Sequence, residues 1–232
     1  MRILAIGAHP DDIEFACGGI LLVERARGSE IALCICSRGE AGTNGTPDER
    51  EGEARRAADL LGAQIEFLEL GGDSHIAPTN ENAFLLARAI RRYKPDLLLS
   101  SVTEEDQHPD HAVVGKLARD AARFARYGGI AELRDLAPHS IAHHLKYAVT
   151  QGAEPRTGAK LRVDISVQYE KWIALMECHT TQLRTRRYTE LQTARARLLG
   201  VEAGVEYAQA LFVSDDLLVS SLAELPRSVR LF

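Results

Sequence analysis

Hydrophobic and polar positions along the chain follow two alternating periods. Residues 2–7 are almost wholly apolar, as in a strand buried on both faces of a sheet, and from 13 to 27 the apolar positions return at helical spacing, with Gly28 as a C-terminal stop. The couple then repeats. A strand at 31–36 leads through a polar, glycine-rich loop at 37–46 into a helix opened by Pro47. A short strand at 65–68 precedes the loop "LGGDSH" and a helix near 81–93. A fourth strand at 96–101 runs into "VTEEDQHPDH" and a helix to about 126. Strands alternating with helices of this length predict an α/β fold with a mostly parallel sheet, right-handed crossovers and flanking helices. Beyond this the pattern loosens into a C-terminal elaboration. Strands are predicted at 145–150, 161–165 and 205–213, helices near 167–178 and 189–199, and a flap-like loop at 150–160. No composition break marks a linker, so residues 1–232 read as one domain, with a core to about 130 and the elaboration over 131–232.

Composition narrows the function classes. The chain is 45% hydrophobic and 26% charged with a net charge of −5, which argues against nucleic acid or an anionic membrane as partner. No secretory leader or membrane-spanning run is visible, and a cytoplasmic location is expected. Cys17, Cys34, Cys36 and Cys178 lack CxxC spacing and read as small core residues. No GxGxxG follows the first strand and no P-loop lysine is present, so a nucleotide role lacks its phosphate cradle.

Chemistry gathers in two places. "AHPDD" (8–12) ends the first strand and "HPDH" (108–111) follows the fourth. In the common doubly wound order those strands are neighbours, and ligands bind beyond the carboxyl ends of the strands. His9, one of the two aspartates after it, and His111 then offer two imidazoles and a carboxylate. Three protein ligands with an open position is the pattern of a catalytic zinc site. The second aspartate is left as a general base, and His108, partnered by Asp110, as an acid or oxyanion stabiliser. The residues alone do not decide which aspartate of the pair takes the metal. A lone His-Pro-Asp is most often a helix N-cap; the pairing of two such motifs on adjacent strands is what points to a metal.

"AHPDDIEFACGG" followed about a hundred residues later by "HPDH" resembles the LmbE-like (PIG-L) zinc-dependent deacetylases of N-acetylglucosamine conjugates. "RGEAGTNGT", "YKPDLLLS" and "GVEYAQAL" are similar to the branch that deacetylates N-acetylglucosaminyl malate in bacillithiol biosynthesis. The resemblance implies a Rossmann-like fold and an amidohydrolase. It implies Zn2+, with Fe2+ or Co2+ as substitutes, held by His9, Asp12 and His111. It assigns Asp11 as general base, His108 as acid or oxyanion stabiliser, and Asp110 as the partner of His108. The implied partner is a small N-acetylated amino-sugar conjugate, and the implied assembly a homo-oligomer.

Other positions are weaker. Arg50, opening the second helix, is expected to meet substrate carboxylates. Gln107 stands just before His108, where some relatives carry an aromatic or arginine, and is kept as a substrate contact. Glu40, Asn44 and His75 border the predicted crevice. Two rival readings remain: a hydratase or lyase acting on an unsaturated dicarboxylate through the same metal, and a non-enzymatic metal- or sugar-binding module. Against the module stands the surplus of Asp11 and His108 beyond three ligands.

Overall fold

The computed structural model describes residues 1–229. Its centre is a seven-stranded sheet in the order β3-β2-β1-β4-β5-β7-β6. The strands β1 (Arg2–Gly7), β2 (Glu30–Ile35), β3 (Gln64–Phe67), β4 (Leu97–Ser101) and β5 (His143–Tyr147) are parallel. β7 (Ala208–Val213) enters antiparallel between β5 and β6 (Lys160–Asp164). The run of apolar residues in β1 has its cause here: Ile3, Leu4, Ala5 and Ile6 are covered on both faces.

Helices form two layers. α1 (Asp12–Ala26), α2 (Pro47–Leu61), α5 (Tyr169–Glu177) and α7 (Tyr188–Ala203) pack one face of the sheet, around Leu21, Leu33, Trp172 and Leu175. α3 (Asn80–Tyr93) and α4 (Pro109–Arg126) cover the other, around Ile6, Leu86, Leu98 and Leu117. α2 is bounded by its own sequence. Thr46 and Glu49 form a reciprocal capping box around Pro47, and Gly62, at φ 70°, closes the C-terminus. A one-turn helix, α6 (Thr180–Leu183), links α5 to α7. Cys17, Cys34 and Cys36 are buried and all four cysteines are free thiols. No helix among the described residues is long and apolar enough to cross a membrane.

The expected core elements are all present, and the differences have local causes. β5 occupies 143–147 rather than 145–150, because the carbonyls of Ala148 and Val149 are taken by the Arg195 guanidinium and leave the ladder. α7 passes through Gly200 to Ala203 instead of stopping near 199. A Cβ at Gly200 would lie 2.5 Å from the Glu206 carbonyl oxygen, so glycine is demanded by that close approach, and Gly204, at φ 72°, is the actual cap. β7 starts at Ala208, three residues later than predicted from the apolar run. Pro109, Asp110 and His111 form the first turn of α4 rather than the end of a loop.

Candidate active site and metal centre

β1 and β4 are hydrogen-bonded neighbours, so the two His-Pro-Asp motifs meet where the strand order reverses. The end of β1 is pinned by its own sequence. Asp12 Oδ2 accepts from the backbone N–H groups of Ala8 and His9, each at 2.9 Å, and Ser37 Oγ donates to the Ala8 carbonyl at 2.8 Å. Between them Asp11 sits at φ 118°, a conformation that side chains rarely adopt and that stores strain. The tight turn separates the two carboxylates. Asp12 Oδ1 faces His111 Nε2 at 3.0 Å, and Asp12 Oδ2 lies 3.6 Å from His9 Nδ1. His9, Asp12 and His111 are all buried, with one potential ligand atom each within 4.8 Å of the others.

The far side of His9 is held by two more carboxylates. Its Nε2 is 3.1 Å from Asp110 Oδ2 and 3.2 Å from Asp73 Oδ1. Asp73 was not among the expected residues; His75, in the same loop, was. The available signal was the paired glycines before it. Gly71 and Gly72 adopt φ 110° and 90°, and a Cβ at Gly71 would lie 2.7 Å from the His75 carbonyl oxygen. That turn sends Asp73 inward and leaves His75 exposed, its Nδ1 bonded to the Asp73 carbonyl.

The expected partnership of His108 with the Asp110 carboxylate takes another form. His108 caps α4, and its Nδ1 accepts from the Asp110 backbone N–H at 3.2 Å. The Asp110 carboxylate turns instead to His9 and to the Ser74 N–H, at 2.7 Å.

Electrostatics follow from this crowding. Burial opposes protonation of His9, but its hydrogen bonds to the Asp110, Asp12 and Asp73 carboxylates outweigh it and push its pKa up to about 12. Burial also opposes ionisation of Asp12, yet His111 and His9 hold it well below the carboxylate range. Asp11 goes the other way: burial raises it to about 6, with Arg50 opposing. Burial lowers His108, and His9 and His111 push in the same direction, so its ring is neutral.

The cluster therefore grips positive charge at His9, and a divalent ion suits its donor set of two imidazoles and a carboxylate. His9 already has the carboxylate–histidine support typical of a metal ligand, and His111 Nδ1 is buried with no hydrogen-bond partner among the described residues.

A cleft of about 610 Å³ opens over these groups. Asp11, Asp12, Asp73, His9, His108 and His111 line it, together with a wall from the segments around Thr150, Gln182 and Gln192. Arg50 lines it too, but is only 4% exposed. It donates to the carbonyls of Gly39 at 2.9 Å and Pro10 at 3.1 Å, and lies 3.4 Å from Asp11 Oδ2. Gln107 does not line the cleft; its amide donates to the Val102 and Glu104 carbonyls at 2.9 and 2.7 Å. Glu40 accepts from the Asp73 N–H and Asn44 donates to Thr185 Oγ1, so both brace loops. Behind the wall, the Glu53 carboxylate accepts from Thr180 Oγ1 and from the N–H and Oγ1 of Thr181, which ties α6 to α2. A separate cavity of about 470 Å³ lies between α4 and β5 and contains none of these residues.

A doubly wound sheet carrying a buried His/Asp cluster able to hold a metal ion at its switch point defines the architectural class. Residues 4–122, half of the chain, match the PIG-L family, described as GlcNAc-PI de-N-acetylase, and the chain belongs to that family. The "Uncharacterized deacetylase YaiS" of Escherichia coli K12 is 33% identical over 126 residues, covering 52% of this chain and 68% of the relative. A "4-oxalmesaconate hydratase" of Pseudomonas putida is 28% identical over 138 residues, covering 54% of this chain and 53% of that protein. The chain spans about half the length of several curated relatives it matches. Among solved structures, the conserved protein TT1542 from Thermus thermophilus superposes with a TM-score of 0.81 at 29% identity, covering 94% of this chain and 96% of the other. The N,N'-diacetylchitobiose deacetylase of Pyrococcus horikoshii gives the same TM-score, 0.81, at 22% identity, over 92% and 83% of the two chains, a likeness of fold.

Proposed function

We propose that this protein is a metal-dependent hydrolase that removes the acetyl group from an N-acetylglucosamine conjugate. One observation carries the reading: Asp11 lines the cleft beside the His9–Asp12–His111 cluster without belonging to it. A carboxylate in that position suits a general base working near neutral pH.

His9, Asp12 and His111 would hold the ion, and the nitrogen-rich set favours zinc, with iron or cobalt able to substitute. When bound, such an ion supplies Lewis acidity, polarising the acetamide carbonyl and making water nucleophilic at neutral pH. Asp11 takes the proton from the attacking water as the new carbon–oxygen bond forms, then returns it to the departing amine as the carbon–nitrogen bond breaks. Arg50, at 3.4 Å from Asp11, keeps that carboxylate aimed into the cleft. His108 accepts the Asp110 N–H at Nδ1, so its remaining proton sits on Nε2, where it donates to the developing oxyanion. Asp110 and Asp73 position His9 from behind.

The malate conjugate of the bacillithiol branch is the first candidate substrate, on the strength of the sequence resemblance. The 4-oxalmesaconate hydratase of Pseudomonas putida marks the competing reaction. The decisive experiment measures acetate release from N-acetylglucosamine conjugates by the zinc-loaded protein and its Asp11→Asn variant. Release by the wild type and loss in the variant support the reading. Zinc uptake with no acetate release from any N-acetyl sugar overturns it.

A further inference from the structure

The cavity between α4 and β5 differs from the cleft in place and in chemistry. It exists because a ladder stops early. Among the described residues β7 pairs with β5 at Leu145 and Lys146 alone, and after Val213 the chain leaves the sheet. The first residues of β5, His143 and His144, are left as an open floor. The second half of α4 forms one wall and residues 213–217 the other, around about 470 Å³, a volume that suits a small molecule. The His/Asp cluster sits at the carboxyl ends of the parallel strands, whereas this cavity lies at the amino end of β5. At 1.5 Å per residue along α4, Arg119 and Arg126 stand about 12 and about 22 Å from His111.

The α4 wall carries three arginines. Arg119, Arg123 and Arg126 are four and three residues apart, so they share one face of the helix. Other arginines of this region are already engaged: Arg88 pairs with Asp135, and Arg91 donates to the carbonyls of Ala125 and Tyr127. Among the described residues the three on the wall have no ion pair, and Arg126 lies only over the Tyr127 ring, 5.2 Å from its centroid. The opposite wall holds Asp215 and Asp216, both exposed and neither paired with these arginines. The charge of Arg119 reaches the floor. Burial lowers the pKa of His144 and of Lys146, and Arg119 pushes both the same way, with Asp215 opposing at each and Glu104 at Lys146.

We propose that this cavity is a second binding site, taking a small phosphate ester with its phosphoryl group on Arg119, Arg123 and Arg126 and its free hydroxyl groups toward Asp215 and Asp216. Three guanidinium forks on one face exceed what a single carboxylate engages, and they match a phosphoryl group with nearly two charges and three acceptor oxygens. Asp215 and Asp216 only accept hydrogen bonds when ionised, so the far end of the ligand has to donate. They repel a molecule that is anionic at both ends, such as a diphosphate or a nucleic acid strand. The site is independent of the deacetylase reading and shares with it only the helix α4.

Calorimetry on the zinc-loaded protein tests this with three probes: ribose 5-phosphate, inorganic phosphate and ribose. Ribose 5-phosphate is expected to bind at least about tenfold more tightly than inorganic phosphate, and ribose not detectably. Arg119→Gln/Arg123→Gln should weaken ribose 5-phosphate at least about tenfold. Both side chains are exposed, so the fold is expected to hold, and Arg126→Gln provides a milder second variant. Asp215→Asn/Asp216→Asn should reduce the preference over inorganic phosphate at least about fivefold. Asp12→Ala, which disables the His/Asp cluster, should leave binding unchanged. No binding of ribose 5-phosphate, or affinity unaltered in the arginine variants, overturns the proposal. Loss of binding in Asp12→Ala overturns it too, since the phosphate then sits at the cluster. Equal affinity for inorganic phosphate overturns the assignment of an ester.

Discussion

His9–Asp12 and His108–His111 spell almost the same word after two adjacent strands, yet they fold into unlike halves of one site. In the first, the leading histidine is buried at the centre of the cluster. In the second, the leading histidine is exposed at the rim and the closing one is buried. The cause is backbone geometry. The first motif turns through Asp11 at φ 118° before its helix begins at Asp12, whereas the second enters its helix at once, at Pro109. A shared motif therefore does not carry a shared role. Where the helix starts decides which side chain points in.

The sharpest way to break this comparison is Asp12→Ala. It removes the carboxylate that ties both motifs together through His111 Nε2. Zinc per chain, measured by inductively coupled plasma mass spectrometry, is expected to fall to near zero and acetate release to background. Asp11→Asn should come next, lowering kcat by about 10²–10⁴-fold while zinc content stays at the wild-type level. Asp11 accepts a proton only when ionised, and its pKa is raised to about 6. Wild-type kcat/KM is therefore expected to fall toward acid pH as Asp11 becomes protonated, and the variant's residual rate should lack that limb.

His108→Ala and His111→Ala sharpen the contrast between the motifs. The first is expected to lower kcat by about 10²–10³-fold, as for one oxyanion donor, with zinc retained; the second should lose zinc. Asp110→Asn loosens His9 from behind and is expected to weaken zinc affinity by about 10–100-fold in a chelator competition assay.

The smallest effect lies away from both motifs. Burial, with Lys146 nearby, lowers His144 from 6.5 to about 4, and its Nε2 pairs with Ser100 Oγ at 2.8 Å. As pH falls below 6.5 the unfolded chain takes up this proton first, so stability present above 6.5 is lost progressively toward pH 4. The melting temperature of His144→Asn should fall less over that interval than that of the wild type.

The parallel core was legible because its strands are buried on both faces and its helices carry stops in glycine and proline. The meeting of His9, Asp12 and His111 was legible as two motifs joined by one topological assumption, the adjacency of β1 and β4. Asp73 was not, because an isolated aspartate in a glycine turn gains meaning only once β3, β2 and β1 are laid side by side and His9 needs a partner. The His108–Asp110 relation was misassigned for a similar reason. Residues two apart in a first helical turn do not face each other, so the carboxylate went to His9 and the backbone N–H to His108. In the C-terminal third, β5 and α7 ended elsewhere than their apolar runs suggested. There the ends are set by tertiary contacts, the Arg195 guanidinium on the carbonyls of Ala148 and Val149, and Glu206 against Gly200.

The insertion of β7 between β5 and β6 also bears on how the chain is made. As residues leave the ribosome in order, β2 to β5 each find a neighbour among strands already synthesised. β6 does not: among the described residues its ladder partner is β7 alone, which ends at Val213. Until then the outer edge of β5 and both edges of β6 are open to pairing with another nascent chain. A pause or truncation in translation between Asp164 and Ala208 thus leaves three strand edges open that the finished sheet closes or reduces to one.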